Sequence, residues 1–86
     1  MPLVYVYGPL RRLAGGAGEH RFHAATVLEL LRELEREYPA LGGWIVDERG
    51  VIRRHINVFV DGERCGEDTA VGADTRVEIL PAITGG

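Results

Sequence analysis

Only one stretch of this sequence reads as a helix of any length, and a single amphipathic helix has one apolar stripe with which to build a core. Thr26, followed three residues later by Glu29, forms a capping box that satisfies free N–H groups at a helix start, so Thr26 is the predicted N-cap. Val27, Leu30, Leu31, Leu34 and Tyr38 recur at the spacing of one helical face, while Arg32, Glu33, Glu35, Arg36 and Glu37 fall largely on the other. Pro39 has no N–H to continue the ladder and disfavours helical geometry at Tyr38, which limits the helix to about three to four turns. The remaining chain must supply the surface on which that stripe packs.

Strand signals surround the helix. Leu3 to Tyr7 is rich in β-branched and aromatic residues and stops at Gly8-Pro9. Residues 8–18 read as a flexible hairpin loop leading to a second strand over Glu19 to His23. The Gly15-Gly16-Ala17-Gly18 run lacks the Lys-Ser/Thr ending and the spacing of a phosphate-binding loop. Periodicity fades from Ala40 to Arg54. Leu41, Trp44, Ile45 and Val46 suggest a short turn of helix tucked under the sheet edge, Asp47 to Gly50 a turn, and Val51-Ile52 the start of a short strand. His55 to Val60 is a clear strand. Asp61-Gly62 is a two-residue hairpin signal, because both central positions of that turn need positive φ, and Glu63 to Cys65 returns as a short strand. Thr75 to Leu80 alternates as a last strand buried on one side, with Pro81 expected to end its pairing.

The resulting order is strand, strand, helix, strand, short strand, strand. It predicts an α+β fold of β-grasp (ubiquitin-like) type, a small mixed sheet covered by one amphipathic helix. If the last strand lies beside the first they run parallel, and the helix provides the long crossover this needs. With 86 residues there is room for one domain, assigned to residues 1–81, followed by a projecting tail at 82–86. A hydrophobic share of 45% beside 27% charged residues is the balance of a soluble globular protein. No apolar run approaches the roughly 18 to 20 residues of a membrane span, and the N-terminus has no signal-peptide pattern, so the expectation is a cytoplasmic protein without a membrane partner. The formal charge of −3 argues against a nucleic acid partner.

The tail carries the chemistry. Ala82-Ile83-Thr84-Gly85-Gly86 is almost free of bulky side chains at its end. Glycine lets a backbone enter a narrow slot, and a terminal glycine presents an unhindered carboxylate to the α-phosphate of a nucleotide. A carboxylate is a poor electrophile, and joining it to AMP supplies a leaving group that a sulfur nucleophile can displace. No residue pattern in the chain performs that step, so the chain reads as a carrier and not as an enzyme.

The segments Ile56-Asn57-Val58-Phe59-Val60-Asp61-Gly62 and Val77-Glu78-Ile79-Leu80-Pro81-Ala82-Ile83-Thr84-Gly85-Gly86 resemble those of the MoaD/ThiS sulfur carriers, and the likeness spans the whole chain. The resemblance implies that Gly86 is the residue adenylated and converted to a thiocarboxylate, with Gly85 and Thr84 as the neighbours that activation requires. It implies an E1-like adenylyltransferase that brings ATP and magnesium, neither bound by this chain, and a sulfur donor such as a cysteine desulfurase or rhodanese. The acceptor it implies is a molybdopterin synthase large subunit or a cysteine synthase. The ending is close to carriers that feed cysteine biosynthesis, whereas small subunits of molybdopterin synthase more often show aromatic residues and two prolines before the tail. Two other classes stay open: a protein modifier joined to lysines through Gly86, and a non-catalytic β-grasp interaction domain.

Strand alternation places Tyr5, Tyr7 and Phe59 opposite the helix-facing residues, as a patch for partner docking. The alternative is that the segment from Ala40 to Arg54 covers them, or that the alternation is shifted by one residue. His20 and His23, three apart on a strand, point to opposite faces and do not form a metal pair. Cys65 reads as a small packing residue, and His55 beside Arg53 and Arg54 as an exposed strand edge. All ten basic residues are arginine, so no side-chain amine on the chain can attack an activated acyl group.

Overall fold

The computed structural model describes residues 1–81. In chain order the elements are β1 (Leu3–Val6), α1 (Pro9–Leu13), β2 (Glu19–Arg21), α2 (Val27–Glu37), a 3-10 turn (Pro39–Leu41), β3 (Ile56–Val60), β4 (Glu63–Arg64) and β5 (Arg76–Pro81). The five strands form one sheet in the order β2-β1-β5-β3-β4. β1 and β5 run parallel at its centre, and the other neighbours are antiparallel.

α2 forms where the capping pattern predicts. The Thr26 hydroxyl accepts from the Glu29 N–H at 3.2 Å, while the Glu29 carboxylate reaches back to the N–H of Ala25 at 3.5 Å. Val27, Leu30, Leu31 and Leu34 are fully buried and meet Val4, Val6, Val58, Val77 and Ile79 from the inner sheet face in one core cluster. Fully burying such side chains contributes about 1.5–3 kcal/mol each against leaving them exposed. The Asp61-Gly62 turn has both φ values positive, 49° and 87°, as its sequence requires.

The structure refines four expectations. Residues 8–18 are not all loop: Pro9–Leu13 is a short helix that buries Leu10 against the core. Pro9, read as a strand stop, also suits the first position of a helix, and five residues are too few for helical periodicity to register. Second, Pro81, expected to end the pairing of the last strand, is itself paired, opposite Ile56, as the last residue of β5. The Asp61 N–H donates to the Arg76 carbonyl at 2.8 Å, so hydrogen-bonded pairs fall at every second residue from there, and Ile56 and Pro81 form a non-hydrogen-bonded pair. The missing N–H of Pro81 costs that ladder nothing. Third, Trp44 does not tuck under the sheet; it is 54% exposed, whereas Ile45 and Val46 are buried in the core cluster. Val51-Ile52 starts no strand and makes one isolated bridge, between Ile52 and Val46.

Candidate functional site

The tail residues Thr84, Gly85 and Gly86 lie outside the described residues, so the structure defines the ground from which the tail departs. That ground is the end of β5. With β1 on one side and β3 on the other, β5 is a central strand, and Pro81 is its last residue. Gly8, at φ 64°, passes close by: a Cβ built there would stand 3.1 Å from the Pro81 ring. Residues 82–86 can reach at most about 18 Å beyond this point when fully extended.

The sheet face opposite α2 is open. Inward residues Val4, Val6, Val58, Val77 and Ile79 are buried, so their neighbours Tyr5, Phe59, Glu78 and Leu80 must face outward, and these are half-buried. Registry sets Tyr5, Glu78 and Phe59 in one row across β1, β5 and β3, and Leu3 beside Arg76 in the next. The segment from Ala40 to Arg54 does not cover this row, since its buried residues join the core on the helix side. The structure thus brings the three expected docking residues onto one face.

Polar contacts fix the aromatic side chains there. The Tyr5 and Tyr7 rings stack with centroids 6.4 Å apart and planes 22° apart. The Tyr7 hydroxyl donates to the Glu78 carboxylate at 3.0 Å, and the same carboxylate oxygen lies 3.7 Å from the Arg76 guanidinium. Arg76 in turn lies over the Tyr5 ring. The sequence pattern singles out the aromatic members, and Arg76, Glu78 and Leu80 join them only in the structure. The signal for these three was present, because they alternate with Val77 and Ile79 along the last strand.

The other residues weighed from sequence take structural places. His20 donates from Nε2 to the Ala17 carbonyl at 2.8 Å and packs edge-on against Tyr38, with ring centroids 5.1 Å apart. Among the described residues, no three His, Cys, Asp or Glu side chains gather in a way that holds a metal ion. Cys65 is half-buried, its thiol donating to the Val58 carbonyl at 3.4 Å, and burial pushes its pKa up, away from the nucleophilic thiolate. Asp47 accepts from the N–H groups of Arg49 and Val51, at 2.8 and 3.1 Å, and these bonds together with the Arg49 guanidinium hold its carboxyl below the usual range. No helix among the described residues is long and apolar enough to cross a membrane.

A mixed sheet with parallel central strands, one long crossover helix and an open outer face defines a β-grasp domain of the ubiquitin-like class. Solved structures bear this out. The chain superposes on one chain of the Amycolatopsis orientalis BexX/CysO complex structure with a TM-score of 0.89 at 30% identity, covering 100% of both chains. It superposes on Mycobacterium tuberculosis CysO with a TM-score of 0.87 at 26% identity, covering 96% of this chain and 100% of that one. Small archaeal modifier protein 3 of Haloferax volcanii is 35% identical over 66 residues, 72% of this chain and 71% of that protein. The ThiS family profile matches residues 4–86, and the chain belongs to that family.

Proposed function

We propose that this protein is a sulfur carrier whose Gly86 carboxylate is activated by a partner enzyme. The observation that carries the reading is a family match that runs through to the final Gly85-Gly86. A Gly86 carboxylate oxygen attacks the α-phosphorus of ATP on an E1-like adenylyltransferase, and pyrophosphate leaves. The acyl-adenylate is then attacked at its carbonyl carbon by hydrosulfide or by the persulfide of a desulfurase or rhodanese, and AMP leaves. With hydrosulfide the product is the thiocarboxylate directly. With a persulfide it is an acyl disulfide, which a second thiol opens to release the thiocarboxylate and a protein disulfide. The open face of Tyr5, Tyr7 and Phe59 docks the activating enzyme, and the thiocarboxylate donates sulfur in cysteine or molybdopterin biosynthesis. The resemblance of the ending Ile79-Leu80-Pro81-Ala82-Ile83-Thr84-Gly85-Gly86 to carriers that feed cysteine biosynthesis supports the first of these pathways.

A second reading, a protein modifier joined through Gly86 to lysines of other proteins, is favoured by the 35% identity to a protein named a small archaeal modifier. Intact-mass measurement of the untagged chain, after co-expression with its activating enzyme and sulfur donor, separates the two. A gain matching one oxygen replaced by sulfur, lost on deletion of Gly86, supports the carrier. Isopeptide adducts without that gain support the modifier.

A further inference from the structure

On the helix side of the sheet, where β5 ends, lies a second surface that the activation chemistry leaves unused. Pro9, Leu10, Trp44, Ile56 and Pro81 line an apolar cleft with a volume of about 260 Å³. Arg53 and His55 complete its wall, and Arg54 between them is also exposed. Gly43, at φ 84° and with open space where a Cβ would stand, turns the backbone there and presents Trp44 outward. Neither Arg53 nor Arg54 joins a salt bridge among the described residues. Exposed tryptophan and arginine around an apolar hollow are the residue types that dominate binding energy at protein interfaces.

We infer that this cleft docks a partner polypeptide segment that inserts one apolar side chain and sets carboxylates against Arg53 and His55 in its wall, with the exposed Arg54 adding positive charge beside it. The volume suits a leucine or aromatic side chain, since an apolar cavity of about 150 Å³ already admits benzene. The consecutive basic residues are a local positive spot on a chain of net charge −3, so a short acidic segment is attracted where a long polyanion is repelled. Position adds the second argument. Ile56 and Pro81 pair at the end of the central ladder with side chains on the helix side, whereas Tyr5 and Phe59 face the other way. β5 therefore ends between two surfaces, and an enzyme gripping the open face leaves this cleft free for a different partner acting on Gly86.

This placement rests on the proposed use of Gly86, but the binding itself does not. The test is an NMR titration of the ¹⁵N-labelled full chain with the end-blocked peptide GELDEG, at concentrations on the order of millimolar, the affinity range of so small a contact. The expected result is saturable shifts at Gly43, the Trp44 indole, Arg53, His55 and Ile56. Replacing the leucine by glycine (GEGDEG) or the acids by lysine (GKLKKG) should weaken binding about tenfold or more. Trp44→Ala and Arg53→Glu, both at exposed positions, should each abolish the shifts while leaving the remaining spectrum in place. Absence of saturable shifts, equal binding of GKLKKG, or shifts confined to the Tyr5 face would overturn the inference. Two readouts separate the ideas: the shifts should persist with Gly86 deleted, since the cleft does not use that residue, whereas failure of the full chain to gain sulfur in the intact-mass measurement would sink the carrier reading and leave the cleft standing.

Discussion

The guanidinium carbon of Arg76 sits 4.4 Å above the centroid of the Tyr5 ring, joining the first and last strands on the open face. Leu3 and not Tyr5 is the register partner of Arg76, so its side chain reaches diagonally along the parallel ladder. An exposed contact of this kind contributes about 0.5–1 kcal/mol. Arg76→Ala should therefore lower the melting temperature by only a few degrees, roughly 4–8 °C per kcal/mol for a domain this size. It should also loosen the Tyr5 ring, read as faster ring flipping by NMR.

Replacing Phe59 by aspartate places a charge in the row it shares with Glu78 and Tyr5. On the proposed use of this face, affinity for the activating enzyme should fall about tenfold or more by calorimetry, because truncating an aromatic anchor typically costs over 1 kcal/mol. Trp44→Ala should leave that affinity unchanged. Equal losses from both would mean that one enzyme spans both surfaces.

Leu34 is fully buried at the centre of the core cluster. Leu34→Ala should destabilise by about 2–5 kcal/mol, the sum of lost transfer energy and residual cavity. Urea unfolding monitored by circular dichroism measures it, and a loss under 1 kcal/mol would mean that the core closes over the gap.

Gly15 and Gly16 both have positive φ, 78° and 86°, but a Cβ at Gly15 would stand 2.8 Å from the Tyr38 ring while one at Gly16 meets nothing within 4 Å. Gly16→Ala should show only the conformational penalty of about 1–2 kcal/mol. Gly15→Ala adds displacement of Tyr38 and with it the His20 ring, so its loss should be clearly larger. Parallel thermal melts compare them directly, and equal losses would show that Tyr38 yields freely.

Two carboxylates tie down the segment after the 3-10 turn: Asp47 through the Val51 and Arg49 amides, and Glu67 through the Ile52 N–H at 2.8 Å. Both are held below their ordinary values, chiefly by these backbone bonds. A depressed folded-state pKa gives stability that is present above the unfolded value and lost as pH falls through the folded one. Acidification below about pH 4 should therefore weaken the attachment of residues 47–52, seen as faster amide exchange at Val51 and Ile52. Asp47→Asn with Glu67→Gln should flatten that dependence; an unchanged slope would place it elsewhere.

Much of the fold was readable because local and global signals agree at particular positions. Thr26, Glu29 and Pro39 bracket α2, and Asp61-Gly62 fixes the β3-β4 turn. The alternation of β1 and β5 correctly divides their side chains between two faces. What escaped had no period to detect. α1 is a single short helix hidden behind Gly8-Pro9, and the role of Pro81 depends on which ladder pairs are hydrogen-bonded, a long-range property of registry with β3. The cleft escaped for the same reason, since Leu10, Trp44, Ile56 and Pro81 come from four separate segments that only the closed sheet brings together.

β5 has a neighbour on each side, so a pull applied to Gly86 enters the domain along its most firmly held strand and is shared between two ladders as shear. An edge strand under the same load could peel away bond by bond. On the proposed use of Gly86, the domain is thus a stiff handle for its activating enzyme: force applied at that residue would meet two ladders in shear before it could unravel the sheet.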